Sequence, residues 1–443
     1  VFCPDSAIVS SNASQLSLLP RNDEGNDFIT SDPHGYIDSL AKQVELLGEA
    51  DRLFICGDLV DRGPDSLKLV KLILQAQKAG KKIHCVRGNH EDMLLDVLKF
   101  SRFTHAMIDL LATDNIEKNY PIIKTCFPGL FDNASNHFGV LFVLSSFQRE
   151  WKTLLSAYEY GVSPNTVLDD FRYQMSTVNS QTMNWEKQEI ERYKIYWNSC
   201  CQIVVNGGKW LFSVSEEDCE LLKTFIEGLP YVIRVDGEFD VVHAAPLSEE
   251  ELAVVKGGVP FTEQQILYMT WARPPGMPNS NPMMDKGRSK YSLPVYIGHN
   301  SLRAADAINF ECNLINLDAG THFTGCTFFV NHTLGMLIRC GEILDTKYSE
   351  EYDEAFYALN VLMQREKLVS LGSPTSVAVE KSLPADMVFT GVIINVKPAS
   401  TVQAIASHYC QQQRGSTLFQ HLSLIKSAAR PGQQGIDIFV SNI

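Results

Sequence analysis

Seven residues of types that do chemistry are gathered in three short stretches near the start of this chain. "DFITSDPHG" carries Asp32 and His34, "FICGDLVDRG" carries Asp58, Asp61 and Arg62, and "VRGNHE" carries Asn89 and His90. Aspartate, histidine and asparagine together make a hard-to-borderline donor set of oxygen and nitrogen, suited to divalent cations. An arginine beside such a set can grip phosphate oxygens through paired hydrogen bonds. Each fragment alone could be turn chemistry, since Asp-Pro, Gly-Asp and Gly-Asn often punctuate chains. Three in order, each closing an apolar run, point instead to a metal and phosphate site.

The elements that position them repeat. "DFIT" is strand-like and leads into the helix-like "YIDSLAKQVELLG"; "DRLFICGD" leads into "DSLKLVKLILQAQKAG"; "KKIHC" leads toward "DMLLDVLKF". Alternating strand and helix predicts parallel strands joined by crossover helices. Ligands of such sheets gather beyond the carboxyl ends of the strands, where all seven residues lie.

Composition sets the bounds. The 443 residues are 45% hydrophobic and 20% charged, ordinary for a globular protein of two or three domains. No apolar run approaches the ~18 residues of a membrane span. The opening residues lack a signal peptide's basic start and apolar core. A formal charge of −14 argues against a nucleic-acid surface, which needs clustered Lys and Arg. Eleven cysteines, odd in number and without metal-ligand spacing, read as free thiols in a reducing compartment.

With 22 residues between His34 and Gly57 and 25 between Arg62 and Gly88, the motif series resembles the phosphoprotein phosphatase branch of the calcineurin-like metallophosphoesterases. The second half extends the likeness. "LLKTFIEGLPYVIRVDGEFDVVHAAP" (221–246) resembles the segment that ends in a metal-binding histidine, here His243. "TWARP" offers Arg273, "VYIGHN" offers His299, and "INLDAGTHFTGCTFFV" (315–330) resembles the closing strand pair. Departures are Ser31 before Asp32, Pro33 within the Asp-x-His motif, "HAAP" for His-Gly-Gly, and Asn300 after His299.

The resemblance implies an α/β metallophosphoesterase fold, a central β-sandwich flanked by helices. It also implies two divalent metal ions, manganese foremost, with iron, zinc or nickel compatible. Asp32, His34 and Asp58 would hold the first; Asp58 would bridge to the second, held also by Asn89, His243 and His299. Arg62 and Arg273, with Asn89, would bind the phosphate, and His90, oriented by Asp61, would protonate the leaving oxygen. The expected activity is hydrolysis of phosphomonoesters by direct attack of a metal-bound water, on phosphoproteins. Alternatives are a dinucleoside-polyphosphate hydrolase and a non-catalytic phosphoprotein-binding scaffold.

The expected layout is a tail at 1–24, core halves at 25–99 and 221–342, an aromatic-rich helical insertion at 100–220, and a C-terminal α/β extension at 343–443. The insertion holds Trp151, Trp185, Trp197 and Trp210 with Tyr158, Tyr160, Tyr173, Tyr193 and Tyr196. These aromatics read first as its own core, and second as a docking face for protein partners, a role the extension could share. In the extension, helices are expected at 350–372, 401–413 and 416–427, and strands at 386–397 and 435–442. The arrangement also resembles, more distantly, effector phosphatases that bacterial pathogens send into the host-cell cytosol, which tilts the expected substrate toward phosphotyrosine ahead of phosphoserine and phosphothreonine. His84, His105, His137, His322, His332, His408 and His421 lack matching partners and read as structural or exposed.

Overall fold

The computed structural model describes residues 15–128, 137–159, 187–273, 293–301, 308–309, 314–334 and 336–341, with four strands beyond. These fall into two compact units. One takes the chain to Leu59, Lys68–Asn89, and Leu229 onward; the other takes Val60–Leu67 and His90–Gly228.

The three expected strand–helix repeats are present; their strands lie in the first unit, and the third helix belongs to the second unit from His90 onward. Strands β2 (Asp27–Thr30), β3 (Arg52–Ile55) and β4 (Lys82–Cys85) lie side by side and parallel. Helix α1 (Ile37–Leu46) follows β2, α2 (Ser66–Lys78) follows β3, and α3 (Asn89–Leu98) follows β4. β2 and β3 are buried along their whole length, as strands in covered parallel sheets are, and the charged residues at their starts, Asp27 and Arg52, pair at 2.7 Å. On α2, Leu69 and Ile73 recur at helical spacing and both are buried.

β10 (Cys326–Asn331) lies antiparallel to β2 and to β11 (Met336–Gly341), extending this sheet on its other side. A second sheet runs in the order β1 (Leu16–Leu19), β5 (Val232–Val235), β6 (Phe239–Val242), β7 (Val295–Ile297), β9 (Leu314–Asn316), β8 (Ile308–Asn309). Between the sheets lies one apolar core. Ile29, Phe54, Val86 and Phe328 from the first meet Ile233, Val241, Tyr296 and Ile315 from the second. This is the expected sandwich. The outer face of the second sheet is covered by α9 (Glu249–Lys256) and α10 (Glu263–Trp271), through Leu252 and Met269. Both helices start in reciprocal caps, Ser248 with Glu251 and Thr262 with Gln265, which fix where each helix begins.

In the extension, β12 (Met387–Thr390) and β13 (Ile393–Val396) form an antiparallel pair within the expected 386–397. β15 (Ile436–Asn442) pairs with β13 and touches β11 at Ser441. The helix expected over 416–427 is overturned at Leu422–Lys426, which is a strand, β14, paired with β15. Its "LSLIK" has the two-residue alternation of an edge-forming strand at its start, which outweighs helix preference once a partner strand is available. The helices expected at 350–372 and 401–413 lie outside the described residues.

The second unit is helical: α4 (Ser101–Thr113), α5 (Ile116–Cys126), α6 (His137–Glu159), α7 (Lys187–Val205), a 3₁₀ turn (Gly208–Ser213) and α8 (Glu216–Glu227). Its described aromatics mainly form its own core, as read first. Trp151, Trp197, Tyr193 and Tyr196 are buried, and Trp151 meets Trp197 edge-on at 5.6 Å. Phe103 packs edge-on against Tyr196 at 5.3 Å, and Phe147 stacks on Tyr193 at 5.0 Å. Such ring pairs add about 0.5–1.5 kcal/mol each beyond their buried area. Trp185, Tyr160 and Tyr173 lie outside the described residues. No described helix is long and apolar enough to cross a membrane, and the eight described cysteines are free.

Candidate metal and phosphate site

The backbone marks the site before any side chain does. Among the described residues, seven other than glycine have positive φ: Asp32, His34, Asp58, Asp61, Arg62, Asp114 and His299. Six of them are residues singled out above for chemistry. Left-handed backbone on a branched or charged residue costs energy and is kept where the surroundings enforce it, often at functional sites. Here the loops after β2, β3 and β7 are turned back sharply, so that side chains converge rather than alternate.

In the first unit, Asp32, His34, Asp58, Asn89, His243 and His299 are all buried, none exposed by more than 7%. The loops after β2 and β3 are laced together, with the His34 amide donating to the Asp58 carbonyl at 3.0 Å. The His34 ring approaches Asp58 at 3.7 Å, Nε2 to Oδ2. The other carboxylate oxygen of Asp58 lies 3.2 Å from His243 Nε2. Asn89, first residue of α3, places its Oδ1 2.9 Å from His243 Nε2 and 3.1 Å from His299 Nδ1. Asp58, His243 and His299 each offer a ligand atom within 4.8 Å of the others. Asp32 accepts from the His299 amide at 3.1 Å and from the Ser31 hydroxyl.

The donor set fits a cation. His243 Nδ1 sits 2.7 Å from the Cys56 carbonyl, which can only accept, so the ring proton belongs there. Nε2 then turns a lone pair toward the Asp58 carboxylate, an arrangement that a positive charge relieves. Asp32 makes the same demand. Its carboxyl is pushed well above the usual range, first by burial, then by the negative charges of Asp318 and Asp58, against the bonds from Ser31 and the His299 amide. Space is tight as well. A Cβ at Gly298 would fall 1.8 Å from Asp32 Oδ2, and one at Gly57 2.9 Å from His243 Nδ1. Gly57 also has φ +92°, so no other residue suits it.

Arg273 follows Ala272, the residue that ends α10. The Ala272 carbonyl lies 3.5 Å from Asn300 Nδ2, and the Trp271 ring stands edge-on to His299 at 6.1 Å. Both contacts bring the end of α10 next to the His299 loop.

Asp61, Arg62 and His90 belong to the second unit. Asp61 Oδ2 lies 3.0 Å from His90 Nδ1, the pairing expected of an acid and its orienting carboxylate. Both are buried, while Arg62 is half-buried. Burial drives the Asp61 carboxyl well above its ordinary range, opposed by a hydrogen bond from Trp210.

Several contributors escaped the sequence reading. Asp318 is buried, accepts from Gly320 N at 2.8 Å and Ser301 Oγ at 3.2 Å, and repels Asp32. Gly298 and Ser31 seat Asp32, and Trp210 binds Asp61. The Asn206-Gly207-Gly208 run was legible as a turn, but nothing local reveals what a turn touches. Among the other histidines, His84 stacks on Phe54 at 5.2 Å, and both ring nitrogens of His105 meet carbonyls in the helical unit, as structural residues do. His322 is the exception, edge-on to His34 at 5.7 Å.

Parts of the chain are similar to known proteins. A symmetrical bis(5'-nucleosyl)-tetraphosphatase of Erwinia tasmaniensis is 33% identical over 97 residues, covering 20% of this chain and 34% of that protein. Its counterpart from Salmonella paratyphi A is 37% identical over 73 residues, 16% of this chain and 25% of that one. The chain thus spans about a third or less of these curated relatives. Solved structures matched by the chain include a putative diadenosine tetraphosphatase (TM-score 0.37, 15% identity, covering 75% of this chain and all of that one). A cold-active protein tyrosine phosphatase has a TM-score of 0.32 at 13% identity, covering 75% of this chain and 81% of its own. The model of the calcineurin-like phosphoesterase family matches residues 28–234, which span the Asp32, Asp58 and Asn89 motifs. Over those residues, just under half of the chain, the sequence is similar to the calcineurin-like phosphoesterases.

Proposed function

We propose that this protein is a metal-dependent phosphoprotein phosphatase that hydrolyses phosphomonoesters, with phosphotyrosine ahead of phosphoserine and phosphothreonine. The observation that carries the reading is the buried convergence of Asp58, Asn89, His243 and His299 on one point, with Asp32 and His34 against Asp58. Asp32, His34 and Asp58 would hold one divalent ion, and Asp58, Asn89, His243 and His299 a second. Two such ions supply Lewis-acid activation of water and neutralise charge on a transferring phosphoryl group.

The chain's own residues do the rest. Arg62 and Arg273 hold phosphate oxygens through charged hydrogen bonds that strengthen as the transition state gains charge. The Asp61 carboxylate holds the His90 proton at Nδ1, which fixes the ring and directs Nε2 at the leaving oxygen. Once Nε2 has given up its proton, the imidazole is left neutral with its Nδ1–H still bound to Asp61. The Cys56 carbonyl does the same orienting work for His243, keeping its Nε2 available as a ligand.

A second reading, hydrolysis of dinucleoside polyphosphates, is favoured by the tetraphosphatase relatives. The two are separated by assaying phosphotyrosine, phosphoserine and phosphothreonine peptides beside diadenosine tetraphosphate, with Mn²⁺ and with chelator. The proposal expects the phosphotyrosine peptide to have the highest kcat/KM, abolished by chelation. A higher kcat/KM on the dinucleotide would replace it with the second reading.

A further inference from the structure

We infer that Trp210, at the end of the helical insertion, is a positioning residue for the acid pair, locking the Asp61 carboxylate so that it presents the His90 imidazole in one orientation. The inference rests on the phosphomonoester reading above and adds a part that none of the motifs contains.

Asp61 is fully buried, and its two oxygens face two different ring nitrogens. Oδ2 meets His90 Nδ1 at 3.0 Å, and Oδ1 accepts from the indole Nε1–H of Trp210 at 3.2 Å. Indole nitrogen can only donate, so this bond has one sense and holds the carboxylate plane by its far corner. Without it, the carboxylate could turn about its Cβ–Cγ bond, and the histidine would lose its fixed partner.

The same turn holds the backbone beneath. The Arg62 amide donates to the Asn206 carbonyl at 2.8 Å, and the Asp61 amide donates to Ser66 Oγ at 3.0 Å. Asp61 and Arg62 both have left-handed backbone, φ +65° and +64°, which needs such restraint. Gly207 has φ +82°, and a Cβ on it would lie 3.0 Å from Arg62 Cα; one on Gly208 would fall 2.6 Å from Asp61 Oδ1. Two glycines and a tryptophan are thus fitted to one dipeptide. The insertion cannot be a detachable docking module alone, because its 206–210 turn is built into the seat of Asp61 and Arg62.

The test compares phenyl phosphate, whose leaving phenoxide is about as basic as that of tyrosine (pKa about 10), with p-nitrophenyl phosphate, which leaves with little help. Trp210→Phe keeps a ring and removes the N–H. It should lower kcat on phenyl phosphate roughly 10- to 10²-fold, the range for losing a hydrogen bond to a charged group. KM and metal content should stay as in the wild type, and p-nitrophenyl phosphate should lose much less. In an Asp61→Asn background, adding Trp210→Phe should cost at most about 2-fold, since its effect passes through Asp61. Replacement of residue 210 by benzothienylalanine, which has the indole shape without the N–H, should reproduce the phenyl phosphate loss and guards against a folding defect. Equal losses on both substrates, additive losses in the double variant, or an unimpaired benzothienylalanine protein each overturn the inference. A wild-type chain inert on both esters overturns the phosphomonoester reading itself.

Discussion

His243 and Asp58 face each other at 3.2 Å, Nε2 to Oδ1, while Nδ1 of the same ring lies 2.7 Å from the Cys56 carbonyl. With the ring proton committed to Cys56, a lone pair meets a carboxylate in a buried place. Only a positive charge between them makes that favourable, either a second proton on the ring or a metal ion. Asp32, His34, Asn89 and His299 around the pair add four more donor groups, and Asp318 adds a further negative charge to the surroundings. Divalent ions at the two proposed positions would satisfy all of these together; a proton would satisfy one.

Arg62→Ala and Arg273→Ala should each reduce turnover while metal content stays unchanged, since neither is a ligand. Loss of one charged partner to a transition state costs typically about 2.7–4 kcal/mol, or 10²–10³-fold in kcat. Steady-state kinetics with metal analysis on the same samples checks this. Wild-type kinetics for Arg273→Ala would remove the end of α10 from the phosphate site.

His90→Asn should hurt substrates in order of leaving-group basicity: phosphoserine peptide most, phosphotyrosine peptide less, p-nitrophenyl phosphate least. General acid assistance is worth about 10²–10⁴-fold where the leaving oxygen needs it. Asp61→Asn should give the same order more mildly. The check is kcat/KM on the three substrates; an equal loss on all three would make His90 a residue of position or charge.

Glu150 makes a separate, structural prediction. Burial pushes its carboxyl up to about 7 from the usual 4.5, although the Tyr193 hydroxyl donates to it at 3.0 Å. In the unfolded chain it ionises first, so between about pH 4.5 and 7 the native state holds a proton that the unfolded state has released. Stability from this group therefore falls as pH rises through that window and levels off above it. Glu150→Gln should remove this slope and raise stability at pH 8, by on the order of 1–3 kcal/mol. Urea unfolding followed at Trp151 and Trp197 fluorescence at pH 5 and pH 8 reads the difference.

Much of this molecule was legible in the sequence because its chemistry sits where strands end. The three strand–helix repeats announced parallel strands, and their carboxyl ends announced Asp32, Asp58 and Asn89 as neighbours. His243 and His299 were legible only through the family resemblance, since no local pattern says which loop reaches which. Trp210 and Asp318 were missed for the same physical reason. Each is an ordinary residue of its own segment, and its meaning lies in a partner 149 residues away for Trp210 and in Asp32, across the sandwich sequence, for Asp318. The strand at Leu422–Lys426 was misread as helix because short apolar runs fit either period until a neighbouring strand decides.

The most direct test of the central claim is metal content and activity measured together on wild type and Asp58→Asn. Chelator-stripped wild type, titrated with Mn²⁺, should regain p-nitrophenyl phosphate hydrolysis as it takes up two ions per chain. Asp58→Asn keeps the side-chain size but removes the charge shared by both proposed positions. Replacing groups that merely orient metal ligands typically costs about 10–100-fold in affinity or activity, and a bridging ligand should cost more. Asp58→Asn should therefore bind fewer than two ions at the same Mn²⁺ concentration and lose at least about 10²-fold in kcat/KM. Full activity in the stripped protein, or two ions and wild-type turnover in Asp58→Asn, would contradict the account.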